Sequence, residues 1–166
     1  MDSAVQDVRN NFNRIYLGGI PLLMGNAAFL SFICILTAVE ALAGYRYPES
    51  GKTARPGERF QRFVQAYFPG EYHGIAGDLW DFRNGMIHSF SPRRFALFEH
   101  RSHLHLQKTG NGATALNAED FYAALLQSSK RYFAELETED ELQRNFWARL
   151  KSVQGGGINV GPIEVG

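Results

Sequence analysis

An uncharged stretch of 25 residues, positions 15–39, constrains the fold of this chain more than any other feature of its sequence. A stretch of that length can cross a bilayer as a single helix. Glycines and a proline interrupt its first half, however, and these residues disfavour one continuous helix exposed to lipid. Asn26 is a typical N-cap for a helix over residues 27–43, with Gly44 as its C-terminal cap. The sequence therefore predicts a buried core helix here rather than a membrane span.

The composition indicates one folded domain. The chain has 166 residues, 45% of them hydrophobic, which is enough to form a single core. Its 17 Lys and Arg residues balance 17 Asp and Glu residues, so a nucleic-acid site has to be a local patch. A single cysteine, Cys34, excludes an intramolecular disulfide and a cysteine-rich zinc module. We expect one domain over residues 1–154 and a flexible glycine-rich tail over residues 155–166.

The beginning of the chain lacks the pattern of a secretory signal, because Asp2 and Asp7 interrupt it and the apolar stretch follows too late. We therefore expect a cytoplasmic protein without a membrane partner. A membrane-associated helical protein that uses residues 15–39 is the alternative to this expectation.

Hydrophobic periodicity predicts a mainly all-α fold, a helical bundle. Two short apolar segments, 95–98 and 103–106, are instead typical of strands, and in the second of them leucines alternate with histidines. They predict a small β-hairpin, about residues 93–108, inserted into the bundle. Helical spacing recurs in the further segments 4–16, 58–67, 72–88, 118–137 and 138–153.

The helix predicted over residues 72–88 has a polar line opposite its apolar stripe. At about 100° per residue, Asp81, Asn84 and His88 lie within about 60° of one another on the polar side. Arg83 lies at the margin of the stripe, where its long side chain can bring the guanidinium to the polar face. The apolar stripe consists of Ile75, Leu79, Phe82 and Met86.

Arginine, asparagine and histidine side chains held together suit metal-independent cleavage of RNA. Histidine can accept or donate a proton near neutral pH. Arginine binds phosphate oxygens and stabilises charge on a phosphoryl group, and asparagine can orient a hydroxyl or the imidazole ring. In such a reaction the ribose 2′-hydroxyl attacks the adjacent phosphate, so DNA would not react.

Gly85 lies in the middle of the same helix, where glycine costs about 1 kcal/mol relative to alanine. A glycine there permits close approach of another backbone. The sequence leaves two explanations open, which are the packing of a neighbouring helix and the approach of a nucleic-acid strand.

The segment from Arg83 and Asn84 to His88 resembles the signature of HEPN domains, in which an arginine and a polar residue are followed a few positions later by histidine. The apolar helix that contains Glu40 is similar to an earlier core helix of that superfamily, which often carries an acidic residue. The likeness covers about residues 4–90. HEPN domains are α-helical bundles, and many are metal-independent ribonucleases of toxin–antitoxin, abortive-infection and CRISPR-associated systems. Two protomers usually bring their motifs together across a dimer interface.

The resemblance implies an endoribonuclease that needs no metal or other cofactor. Arg83 would bind and stabilise the scissile phosphate, Asn84 would position the ribose or the histidine, and His88 would act as general acid and base. Glu40 would either support the site or form an ion pair with Arg83, and Asp81 is a second supporting residue. The implied partners are RNA, a second copy of the chain that completes a composite site, and a cognate antitoxin. The alternative is a catalytically inert HEPN-like module that binds RNA, a nucleotide or a partner protein.

Residues 83–108 carry five Lys and Arg residues against one acid, Glu99. Arg93, Arg94 and Arg101 are therefore candidate RNA-binding residues, although a solvated surface explains the same charges. Three histidines in this segment could in principle bind zinc, but no carboxylate or cysteine pattern accompanies them. We expect no metal site.

Overall fold

A computed structural model describes residues 3–48 and 55–153, and the tail predicted over residues 155–166 lies outside the described residues. Helices make up 73% of the structure, which confirms the mainly all-α class. The helices are α1 (Ser3–Phe12), α2 (Ile20–Leu23), α3 (Ala28–Arg46), α4 (Pro56–Tyr67), α5 (Ala76–Ser89), α6 (Ala118–Leu136) and α7 (Asp140–Val153). A π-helical turn at Asn13–Leu17 and 3-10 turns at Gly70–Ile75 and Ser102–Leu104 connect them.

Helix α3 is the centre of the fold, because α2, α4, α5, α6 and α7 all pack against it. Its side chains Phe32, Ile35, Leu36 and Val39 are fully buried. Among the described residues, α3 is also the helix long and apolar enough to span a membrane, and half of that stretch is buried inside the structure. Contacts with the five other helices thus account for the apolar composition of its buried half.

The ends of α3 differ from the prediction. Asn26 does not cap the helix, which begins after Ala27 without a side-chain cap. Gly44 does not end it either, because the helix continues to Arg46. A Cβ atom on Gly44 would lie 3.4 Å from Nε of Arg149 in α7, which is an ordinary van der Waals contact. Gly44 is therefore an interior position of α3 that faces α7, and not its C-terminal cap.

The predicted β-hairpin over residues 93–108 is wrong. Strand β1 (Phe95–Phe98) pairs in parallel with β2 (Thr114–Asn117), and Phe95 lies opposite Thr114. The chain does turn back on itself, but later, where the N–H of Leu106 donates to the carbonyl of Ala115 at 2.8 Å. The segment around residue 106 therefore lies along β2 and not along β1. Strand β2 lies 16 residues after the end of β1 in the sequence. The alternation of polar and apolar residues within a segment does not predict which distant strand pairs with it.

His105 connects this sheet to the helical core. Its Nδ1 atom accepts a hydrogen bond from the Asn117 N–H at 3.1 Å, so Nε2 carries the proton and faces Tyr72 Oη at 2.7 Å. Burial lowers the pKa of His105, while the carboxylates of Asp120 and Glu71 partly oppose that shift. The neutral ring is thus part of the folded structure, and the second predicted strand is replaced by the 3-10 turn at Ser102–Leu104 and the residues after it.

We predict that acid weakens folding through His105. The ring in the unfolded chain takes up a proton near pH 6.5, whereas the folded protein resists protonation, so the free energy of unfolding should fall as the pH drops from 7.5 to 5.5. Urea denaturation at both pH values measures this change. His105→Gln should flatten the dependence, and His103→Gln, at an exposed position, should retain it. Equal pH dependence in the wild type and His105→Gln would contradict the assignment.

Candidate functional site

One face of α5 carries the predicted polar residues. Asp81 and His88 are exposed and Asn84 is half-buried, on successive turns of the helix. The opposite stripe of Leu79, Phe82 and Met86 is fully buried against the core. Burial of that stripe fixes the rotation of α5 about its axis. Asp81, Asn84 and His88, called here the polar face of α5, therefore point away from the core.

Arg83 is held by α3. Its Nε donates to Oε2 of Glu40 at 2.7 Å, and its Nη2 lies 2.6 Å from the same oxygen. Its Nη1 donates to Oδ1 of Asn84 at 3.3 Å, and its guanidinium lies 5.5 Å from the centre of the Trp80 ring. Glu40 therefore forms an ion pair with Arg83, which is one of the two roles predicted for it. Arg83 is thereby oriented toward Asn84 and paired with the Glu40 carboxylate.

His88 has a different environment. Its imidazole is exposed and makes no hydrogen bond or ion pair with any residue that the structure describes. Five residues along a helix correspond to a rotation of about 140°, so Arg83 and His88 leave α5 in different directions. One chain therefore brings together Glu40, Arg83 and Asn84, while His88 lies one turn beyond Asn84.

A cleft of about 570 Å³ opens beside the polar face. Arg94, whose side chain is 74% exposed, forms an ion pair with Asp78 at 3.3 Å. Arg93 donates to Oγ of Ser89 at 3.4 Å and has no ion-pair partner among residues 3–48 and 55–153. The cleft is lined by Asp81, Asn84, Ser91, Arg93 and Arg94. Because acids pair with Arg83 and Arg94, the positive charge is weaker than the sequence count suggests, and Arg93 carries most of it.

Arg101 is not part of this cleft. Strand β1 separates it from Arg94 and carries the chain roughly 13 Å away, at about 3.3 Å per residue. Its backbone N–H donates to Oδ1 of Asn117 at 2.9 Å, at the start of α6. The structure thus groups two of the three predicted RNA-binding arginines, and the third lies elsewhere.

The three histidines considered as zinc ligands have separate surroundings. His105 uses both ring nitrogens within the fold, as described above. His100 Nδ1 lies 2.8 Å from Oε1 of Glu119, and His103 is exposed. Within the described part of the chain, no group of three or more His, Cys, Asp or Glu side chains is arranged to hold a metal ion.

The chain's own loop explains Gly85. A Cβ atom there would lie 2.4 Å from the carbonyl oxygen of Ser91 and 2.7 Å from Cγ of Arg93. The Ser91 N–H also donates to the Gly85 carbonyl at 3.0 Å. Residues 90–94, called here the 90–94 loop, thus fold back over the helix and place Arg93 in the cleft. Ser91 and Pro92 indicated that the helix ends before them, but no local pattern predicted that the loop folds back over Gly85.

Comparisons of the chain with protein-family models, curated proteins and solved structures found no match.

We predict that Gly85→Ala destabilises the protein. The new methyl group would collide with the backbone of the 90–94 loop, so the free energy of unfolding should fall by about 1–3 kcal/mol. Gly77→Ala in the same helix is the matched control, because its Cβ would meet nothing closer than Oε1 of Gln61 at 3.8 Å. Gly77→Ala should be neutral or stabilise by up to about 1 kcal/mol. Equal effects of the two substitutions in chemical denaturation would contradict the described loop contact.

Proposed function

We propose that this protein is a metal-independent endoribonuclease of the HEPN type, which cleaves RNA by attack of the 2′-hydroxyl on the adjacent phosphate. The observation that carries the proposal is the exposed, unpartnered imidazole of His88, one turn from an asparagine that an arginine orients. His105, in contrast, uses both ring nitrogens within the fold. A histidine used for proton transfer has to be open to substrate.

In the proposed reaction the P–O2′ bond forms while the P–O5′ bond breaks. Neutral His88 accepts the proton of the 2′-hydroxyl, and an imidazolium donates a proton to the departing 5′-oxygen. Arg83 stabilises the negative charge on the crowded phosphate with the N–H groups that Glu40 leaves free, and Asn84 positions the ribose. Glu40 fixes the direction of the guanidinium.

The proposal includes a homodimer with a composite site. Arg83 and His88 leave α5 about 140° apart, so one copy alone does not direct both at one phosphate. A second copy related by a twofold axis would supply the other imidazole, so that one histidine acts as base and the other as acid. In this role the protein is a cytoplasmic toxin or defence-associated ribonuclease, and its cognate antitoxin would cover the polar face of α5.

One observation favours the second candidate, an inert HEPN-like module that binds RNA, a nucleotide or a partner protein. The ion pair with Glu40 neutralises Arg83, and Asp81 adds a negative charge to the cleft. Such a site would bind a polyanion weakly, chiefly through Arg93, and would not stabilise a charged transition state.

We predict that the purified protein cleaves single-stranded RNA in excess EDTA and leaves 2′,3′-cyclic phosphate ends. His88→Ala should lower the rate by about 10²–10⁴-fold, as expected for loss of a general acid and base. Arg83→Ala should lower it by about 10²–10³-fold. The controls are His103→Ala and Arg131→Ala, at exposed positions on other elements, which should cleave like the wild type.

The same assay separates the candidates. A DNA strand of the same sequence should remain intact because it lacks the 2′-hydroxyl. Binding without cleavage would support the inert module. Cleavage that persists in a folded His88→Ala variant, or that EDTA abolishes, would contradict the proposed mechanism.

Glu40→Gln gives a second, independent prediction. If Glu40 orients a catalytic Arg83, its loss should reduce cleavage by about tenfold to a hundredfold, because small misplacements of catalytic groups are costly. Removal of the negative charge should at the same time strengthen RNA binding at low salt. Filter binding and single-turnover cleavage measure the two effects separately. Unchanged cleavage in Glu40→Gln would contradict the orienting role.

A further inference from the structure

Phe90 is the most exposed large apolar side chain in the part of the chain that the structure describes, at 82% exposure. It also adopts the left-handed conformation, with φ 49° and ψ 34°, at the C-terminal end of α5. Glycine or asparagine usually occupies that position, because a bulky side chain is strained there. The ring makes no aromatic contact with the described residues and does not join the core. Folding therefore does not explain why phenylalanine occupies this position.

Hydrogen bonds hold the backbone that carries the ring. The N–H groups of Phe90 and Ser91 both donate to the Gly85 carbonyl, the second at 3.0 Å. The N–H of Arg93 donates to Oγ of Ser91 at 3.2 Å. Because the missing side chain of Gly85 makes room for this loop, the loop presents Phe90 to solvent from a fixed position.

The surroundings of Phe90 are polar and partly cationic. His88 lies two residues before it, within about 7.6 Å between Cα atoms, and Arg93 lies three residues after it in the cleft. An exposed aromatic ring beside cationic groups is typical of surfaces that bind single-stranded nucleic acid, where the ring stacks on a base and the cations contact the backbone. The centre of a protein interface is, in contrast, depleted of charged residues. Ile87, 44% exposed, is the other exposed large apolar residue on α5.

We propose that Phe90 is a stacking platform for an unpaired base of single-stranded RNA, which places the neighbouring phosphodiester at His88 and Arg93. This inference rests on the proposed ribonuclease function and adds its substrate class. Bases in duplex RNA stack on one another, so only a strand with splayed bases reaches the ring. The protein should therefore act on single-stranded segments and not within helices.

The test measures binding of a fluorescein-labelled, single-stranded 2′-O-methyl oligoribonucleotide, which cannot be cleaved by 2′-hydroxyl attack, by fluorescence anisotropy. Phe90→Leu keeps the apolar bulk and loses the ring, so the Kd should rise by about tenfold to a hundredfold. Phe90→Trp keeps a ring and should bind within about twofold of the wild type. Leu22→Ala, at another side chain that is 76% exposed, is the control and should bind like the wild type.

A stability measurement distinguishes this role from a structural one. Asparagine is better suited than phenylalanine to the left-handed conformation, so Phe90→Asn should unfold at the same or a higher denaturant concentration while it loses RNA affinity. Sedimentation of the same variants tests whether Phe90 is a contact between copies. A dimer that dissociates in Phe90→Leu while RNA affinity is unchanged would overturn the proposal.

Two further outcomes separate this inference from the function on which it rests. If the wild type binds the oligonucleotide and cleaves RNA, but Phe90→Leu binds equally well or duplex RNA competes equally well, only the stacking role is overturned. If the wild type neither binds nor cleaves RNA, both the stacking role of Phe90 and the ribonuclease proposal are overturned.

Discussion

Burial of α3 is the constraint on which the remainder of the structure depends. This helix is apolar on all sides, so five other helices have to cover it. Before Arg46 at its end, Glu40 is the only charged residue in the helix. A carboxylate partly removed from water needs a partner, and Arg83 provides two short contacts to it. The packing that buries α3 therefore also fixes the rotation of α5 and the direction of the Arg83 guanidinium.

The site that results combines fixed and free groups. Arg83 and Asn84 are held by contacts to α3 and to each other, while His88 is open to solvent. The 90–94 loop, which folds back on Gly85, adds Arg93 to the cleft. Such a surface has one oriented cation, one group able to exchange protons and one available positive charge. Those are the groups that the proposed cleavage of RNA requires.

The sequence predicted features that depend on local periodicity and missed those that depend on distant contacts. The spacing of Leu79, Phe82 and Met86 was sufficient to predict which face of α5 is buried. The parallel partner of β1 could not be predicted, because β2 follows only after the segment that contains His105. His105 in that segment contacts Tyr72 and Asn117, and the alternation of histidine and leucine does not correspond to a strand.

The same distinction applies to the site. The polar face of α5 followed from spacing, but the contact of the 90–94 loop with Gly85 requires left-handed residues that no local pattern indicated.

The central claim is that RNA binds at this polar face. Its most direct measurement is an NMR titration of the isotope-labelled protein with single-stranded 2′-O-methyl RNA. We predict resonance shifts at the His88 imidazole, the Asn84 amide and the 90–94 loop, with the exposed His103 unaffected. Shifts confined to other surfaces, or no shifts at all, would contradict it.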